Sequence, residues 1–453
     1  MVAAIYLLLI FFILFLELTR RKSAIIDFLT LFNLGYLMWY VFPAILIALE
    51  PNKALLGVWL NASQYTNKPQ TALALFAAYI FIFLGFHAKS AQTLAQKIKI
   101  ESRNSQLIFL FTVGLLSFCL LCLYIYSSAF GGIIKAISQA IAVRSNTADG
   151  STGEATIMLR FIGGTAFASY LFAGYVFTDV RKQDKFIQVI LFIISVIGAI
   201  CSFLVRAGRL DVIFYLLGFY QIVVQKTKKI PLVFSLLFVF FTVMFLFYGK
   251  EFFGALGSIP DGWDAVERSF TERLAEGEKG DAGFDIYSFM ANFYYPIISL
   301  DVAFGKDYEL RWFSDLYYGF ISIIPDRLLG SEPPKTILYY NTVYISGAFD
   351  FAIPTGLLAF AVYSLWWPGL IVTCWVYGWI GGYLQTVFNR HREDVFWMPF
   401  FYSIVSQNWV VLQSSDPESY FQSNFIFLVS SLALLTLGAK IYLVPNSRTK
   451  GHS

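Results

Sequence analysis

The stretch FLVRAGRLDVIFYLL, residues 203–217, places two arginines, Arg206 and Arg209, inside a run that is otherwise apolar. An arginine at the centre of a membrane helix costs roughly 2.5–3.5 kcal/mol on insertion scales. The run therefore reads as two apolar segments, 186–205 and 210–225, with the charges at the break between them. A spacing of three puts both guanidinium groups on nearly one helical face. Gly208, between them, lets backbone or a ligand approach closely.

Working outward, the whole chain has the same apolar character. Its 453 residues are 58% hydrophobic and only 14% charged, with a mean hydropathy of +0.65. Soluble domains carry about 25% charged residues, so the composition predicts an all-α, polytopic integral membrane protein. Segments long enough to span run near 3–18, 24–49, 71–88, 107–126, 157–179, 186–205, 210–225, 230–249, 367–388, 395–413 and 421–443, about 11 in all. Arg20-Arg21-Lys22, Lys89 to Arg103, Arg181 to Lys185, Lys226 to Lys229, Arg390/Arg392 and Arg448/Lys450 follow odd-numbered segments. By the positive-inside rule this predicts an N-terminus outside the cytoplasm and a cytoplasmic C-terminus. The first segment lacks a basic n-region and reads as an uncleaved anchor.

Three parts follow: an N-terminal bundle, 1–249, with about 8 spans; a long outer loop, 250–366; and a C-terminal part, 367–453, with about 3 spans and a short tail. A loop above a hundred residues is usually functional. Within it, FDIYSFMANFYYPIISLDVAFG (284–305) carries Asp285, Asn292 and Asp301, and predicts a buried or re-entrant helix rather than a span. No nucleotide-binding glycine loop, internal repeat or soluble domain is visible. Cys119-x-x-Cys122 lies mid-segment with no second pair, so Cys119, Cys122, Cys201 and Cys374 read as packing residues. The acidic run Glu276 to Asp281 has no metal-ligand spacing. No metal, cofactor or nucleic-acid partner is expected.

The arginines fall at the outer end of the sixth segment, where anchoring arginines are scarce. They read either as side chains snorkelling to headgroups or as partners of an anion, with Asp211 or a ligand supplying the charge. Arginine holds phosphate through a bidentate fork, and a lipid pyrophosphate is the membrane-borne anion of that kind. Lys250-Glu251 opens the loop, and Arg311, Arg327 and Lys335 are its other cations near aromatic surface; each also reads as a solvated loop charge. Tyr317, Tyr318, Tyr339, Tyr340 and Tyr344 suit either an interfacial aromatic belt or a platform for sugar rings.

The arginine stretch before a span, one long outer loop holding FISIIPDRLLGSEPPK, and a small-residue helix with FAIPTGLLAF resemble the bacterial Wzy-type oligosaccharide repeat-unit polymerases. The likeness covers most of the chain in layout and two segments in motif, 202–214 and roughly 316–360. It implies a metal-independent glycosyltransferase of GT-C-like architecture in the bacterial inner membrane, which would make the outer N-terminus periplasmic. Such an enzyme transfers a growing glycan from undecaprenyl pyrophosphate to the non-reducing end of a new lipid-linked unit, making O-antigen or capsule. By matching segments, Arg209 takes the place of the family arginine before the seventh span, and Lys335, or else Arg327, that of the basic residue after the loop's IP turn. On the residues themselves, Arg206 reads as the helper of Arg209 in catalysis, and Asp211, Glu251 or Asp326 as the general base. Lys250, Arg311, Arg327, Lys335, Tyr317 and Tyr340 read, from their charge and aromatic faces, as substrate-binding candidates in membrane lipid, and the resemblance implies a separate chain-length regulator as a partner protein. The chain has SSDPES (414–419), without a cation, where enterobacterial members carry an arginine-glutamate-glycine-like stretch. An O-antigen ligase is the nearest alternative, although its long loop usually carries a histidine and this one has none. A flippase or transporter of lipid-linked sugars is the other.

Overall fold

A computed structural model describes residues 2–55, 69–144, 155–178, 184–279, 286–324, 329–330, 334–349, 351–392 and 395–443. The principal helices, in chain order, are α1 (Val2–Thr19), α2 (Phe28–Leu49), α3 (Pro69–Phe86), α4 (Ser105–Ala129), α5 (Gly164–Val176), α6 (Lys185–Val205), α7 (Arg209–Thr227) and α8 (Leu232–Ala255). They continue as α9 (Trp263–Lys279), α10 (Tyr295–Gly305), α11 (Ser314–Ile321), α12 (Ile337–Ser346), α13 (Gly356–His391), α14 (Met398–Val411) and α15 (Pro417–Gly438). Strands β1 (Ile98–Ser102) and β2 (Ala439–Leu443) pair antiparallel, with Ile100 opposite Ile441. This short ribbon is a departure from the purely helical expectation.

Eight helices among the described residues are long and apolar enough to cross a membrane: α1, α2, Pro69–Gln96, α4, α6, Leu232–Asp261, α13 and α15. The chain is by length and composition a polytopic membrane protein. Each of the eleven apolar segments contains helix among the described residues, the last giving way to β2 at Ala439, but those at 157–179, 210–225 and 395–413 fall short of the length or apolarity of a span. Within 157–179, α5 has 13 residues, nearly all buried, and α14 has 14. Helix α7 carries Arg209, Asp211, Gln221, Gln225 and Lys226. A helix packed inside protein needs neither the length nor the unbroken apolarity that lipid demands. In contrast, α8 is exposed along most of its length, as a lipid-facing helix is.

The described residues form two compact units that cut across the three linear segments. The first holds Met1–Ile108, Phe293–Ser419 and Ala433–Ser453; the second holds Phe109–Asn292 and Tyr420–Leu432. The loop 250–366 thus contributes its first part to one unit and its remainder to the other.

In the first unit, α3 and α13 cross at glycine. A Cβ added at Gly85, Gly378 or Gly382 would lie under 3.0 Å from the carbonyl oxygen of Trp375, Ile82 or Phe86 respectively. Such backbone contact is open only to glycine, and Gly378 and Gly382 have the small-x-x-x-small spacing of close membrane-helix pairs. Beside them Tyr377 stacks on Trp409 at 4.4 Å, and its hydroxyl donates to the Trp409 carbonyl at 2.6 Å.

Helix α13 bends at Leu365 and Trp366, where φ of Trp366 is 56°. Pro368 has no N–H for the carbonyl of Ser364. The amide of Trp312 donates to that carbonyl at 3.0 Å, and the amide of Arg311 donates to Tyr363 at 3.1 Å. The bend thus fixes the loop ahead of α11. Helix α10 is buried beneath, with Asn341 of α12 donating to Ser299 at 3.0 Å, as the sequence predicted for a buried helix over that stretch.

Candidate functional site

In the second unit, α6 stops at the RAGR stretch by a Schellman turn. The amide of Gly208 donates to Phe203 at 2.9 Å and that of Ala207 to Leu204 at 3.1 Å. The residue between the cap and Gly208 must be left-handed, and here it is Ala207, with φ of 48°. That position is usually glycine, and a non-glycine residue there costs roughly 1–2 kcal/mol. The Ala207 methyl is buried against an apolar cluster with Val205, Phe253, Ala255, Leu256 and Ile137, which offsets part of the strain.

Gly208 then caps α7, with Arg209 and Asp211 in its first turn. A cation in a first helical turn opposes the helix dipole, at a cost of about 0.3–1 kcal/mol. Arg209 is therefore placed against local preference, beside the amides of a helix N-terminus, which favour anions. Its Cβ and Cδ lie 3.5 Å from where a Cβ on Gly249 of α8 would stand. The Arg206 Nη1 lies 3.3 Å from the corresponding point on Gly163, ahead of α5. Arg206 pairs with Asp211 at 3.5 Å, and both side chains are partly open, 26% and 38% exposed. This distance is longer than the 2.7–2.9 Å of a tight charge-assisted hydrogen bond.

The same end of the unit holds Lys250, exposed, and Glu251, one of whose buried oxygens lacks a hydrogen bond among the described residues. Sequence reasoning missed Arg273, on α9, whose Nη1 lies 2.7 Å from where a Cβ on Gly254 would stand. It also missed the glycines under the arginines, which are legible only once the helices are paired.

Gly208 has a specific reason to be glycine. A Cβ there would overlap the Asp211 carboxylate, the movable end of a side chain. Gly208→Ala is expected to rotate Asp211 off Arg206 and cost less than about 1 kcal/mol, the range of an open ion pair. The thermal midpoint in detergent measures this; a larger loss would mean that Asp211 is structural.

Among the described residues, Arg311, Tyr317, Lys335 and Tyr340 belong to the first unit. Arg311 is committed internally: its Nε and Nη2 donate to Asp315 at 2.5 and 2.8 Å, and Nη2 donates to the Lys335 carbonyl at 3.1 Å. Its guanidinium also lies 5.0 Å from the centre of the Tyr340 ring. Burial works against its charge, yet Asp315 more than compensates and holds its pKa above the ordinary value. Lys335 places its ammonium over Tyr339 at 4.2 Å, and Tyr317 is exposed. Arg327 and Asp326 lie outside the described residues.

The SSDPES segment serves as a helix cap. Asp416 accepts from the Ser419 amide at 3.0 Å and hydroxyl at 2.8 Å, and burial lifts its carboxyl to about 6. Glu418 accepts from Thr336. No protein-family model, curated protein or solved structure matches the chain.

Proposed function

We propose that the protein polymerises undecaprenyl-pyrophosphate-linked oligosaccharide units into a surface polysaccharide in the bacterial inner membrane. The observation that carries this reading is the strained RAGR turn, which holds two partly open arginines against glycine at the N-terminus of α7. Arg206 caps α6 and Arg209 opens α7, so the two arginines flank the Ala207 bend beside a helix N-terminus rather than sharing one helical face.

The acceptor hydroxyl attacks the anomeric carbon of the donor sugar, a new glycosidic bond forms, and the bond to undecaprenyl pyrophosphate breaks. Negative charge grows on the departing pyrophosphate. Fixed cations stabilise it without reorganising, the kind of contact whose loss costs about 10²–10³-fold in rate. Arg209 is the principal contact and Arg206 its helper. Asp211 occupies Arg206 until the pyrophosphate displaces it, and the freed carboxylate is then available to take the acceptor proton. Lys250 adds charge at the same end. In the first unit, Arg311 is committed to Asp315 and holds its own surface together.

Gene deletion followed by electrophoresis of the surface glycan tests the reading. Loss of polymerase leaves a single repeat unit on its acceptor, loss of a ligase strands long chains on the lipid carrier, and loss of a flippase exports nothing. Complementation with Arg209→Ala at normal protein level is expected to leave the single-unit pattern. A full ladder would remove Arg209 from the site.

A further inference from the structure

Helix α11 wears its amphipathicity inside out. Its carboxylate, Asp315, is 1% exposed and accepts from Arg311 and from the amide of Ile337 at 2.8 Å. Its opposite side presents Leu316, Tyr317 and Phe320, at 48%, 66% and 61% exposure, and Trp312 just before it stands at 70%. The spacing of 316, 317 and 320 puts these three on one helical face. In water such a face is a liability.

The level at which α11 sits explains the pattern. Gly319 packs against the first turn of α15, where an added Cβ would lie 2.8 Å from the Glu418 amide and the Pro417 carbonyl carbon. Helix α15 is long and apolar enough to span, so its first turn marks a membrane boundary. The exposed ammonium of Lys335 over Tyr339 and the carboxylates of Asp416 and Glu418 are near that same turn, through Arg311, Thr336 and the α15 cap. Tryptophan and tyrosine beside lysine, with aliphatic and phenyl side chains adjoining, are what the headgroup–acyl boundary selects. Eight residues cannot cross a bilayer, but they can lie in its surface.

We infer that α11 is an interfacial helix whose Leu316–Tyr317–Phe320 face, with Trp312, is seated in the boundary between phospholipid headgroups and acyl chains. Tyr317 then serves the bilayer and not a sugar ring. The inference rests on burial and position within the first unit, and does not depend on the glycan chemistry proposed for the second.

Single-cysteine variants Leu316→Cys, Tyr317→Cys and Phe320→Cys, made in a background with Cys119, Cys122, Cys201 and Cys374 all replaced by alanine, test it. Each carries a nitroxide label in the full chain, reconstituted into nanodiscs of phosphatidylethanolamine and phosphatidylglycerol. Collisions with dissolved oxygen and with a water-soluble nickel chelate are read by electron paramagnetic resonance. All three positions should favour oxygen several-fold over the chelate, with the preference reversed at Glu267→Cys on the charged side of α9. Preference for the chelate at 316, 317 and 320 would make the face aqueous. Exclusion of both reagents would mean that protein covers it. Either result overturns the assignment.

Discussion

Gly378→Leu is expected to abolish folding, and Gly378→Ala alone to cost about 3 kcal/mol or more, at the upper end of overpacking penalties. The reason is the nature of the neighbour. A Cβ at 378 meets the Ile82 backbone under 3.0 Å, and Gly382 meets Phe86 in the same way. No rotamer change relieves a backbone contact, so α3 and α13 must separate. With them goes the Tyr377–Trp409 stack, which binds α14 to the same seam. Gly114, on α4, has nothing within 4 Å of its would-be Cβ. Gly114→Ala is therefore expected to gain up to about 1 kcal/mol through helix propensity. Thermal unfolding in detergent, followed by size-exclusion chromatography, compares the two. Equal tolerance at both positions would show that α3 and α13 do not meet as described.

The second large effect is expected at Arg20. It is 5% exposed, and two carboxylates grip it: Glu17 Oε2 at 2.8 Å, and Asp27 through paired bonds at 2.6 and 2.7 Å. Thr30 and Asn33 complete the cluster, donating to Glu17 at 2.7 and 2.8 Å. Removing one partner of a buried ion pair leaves uncompensated charge and costs about 3–5 kcal/mol. Arg20→Ala should lose that amount. Arg20→Lys should recover only part, because an ammonium has no planar fork for two carboxylates. Replacing the cluster as a whole, with Glu17→Gln, Arg20→Met and Asp27→Asn, should cost less than Arg20→Ala alone. A triple variant weaker than the single one would contradict the pairing.

These two sites also mark where the sequence was readable and where it was not. Apolar length located the helices closely: the segment at 186–205 is Lys185–Val205, and the segment beginning at 367 starts at the residue after the bend of α13. The break at RAGR was legible because arginine is costly in hydrocarbon. Arg20 was read as a topology-setting charge. Its main partner, Asp27, lies seven residues on, across a turn, and nothing in the local pattern distinguishes a solvated arginine from a gripped one. The spacing of Gly378 and Gly382 is visible in the sequence, but its partner, the backbone at Ile82 and Phe86, is some three hundred residues away. Helices α5 and α14 are shorter than a span's usual length, and apolarity alone does not separate burial in protein from burial in lipid. The ribbon of IKIES and AKIYL was too short to register. At the site, chemistry chose the arginines. The floor of Gly163 and Gly249, the strain at Ala207 and the commitment of Arg311 to Asp315 are properties of pairing that no single segment carries.

The decisive measurement is the rate of chain growth by purified protein in nanodiscs, supplied with lipid-linked single repeat units extracted from the deletion strain. Wild-type protein should build a ladder. Arg209→Ala, at equal concentration and with an unchanged thermal midpoint, should slow it by about 10²–10³-fold, as removal of one charge-stabilising contact does. A ladder formed by Arg209→Ala at the wild-type rate, or none formed by wild-type protein from an authenticated donor and acceptor, would contradict the proposed polymerisation at the RAGR turn.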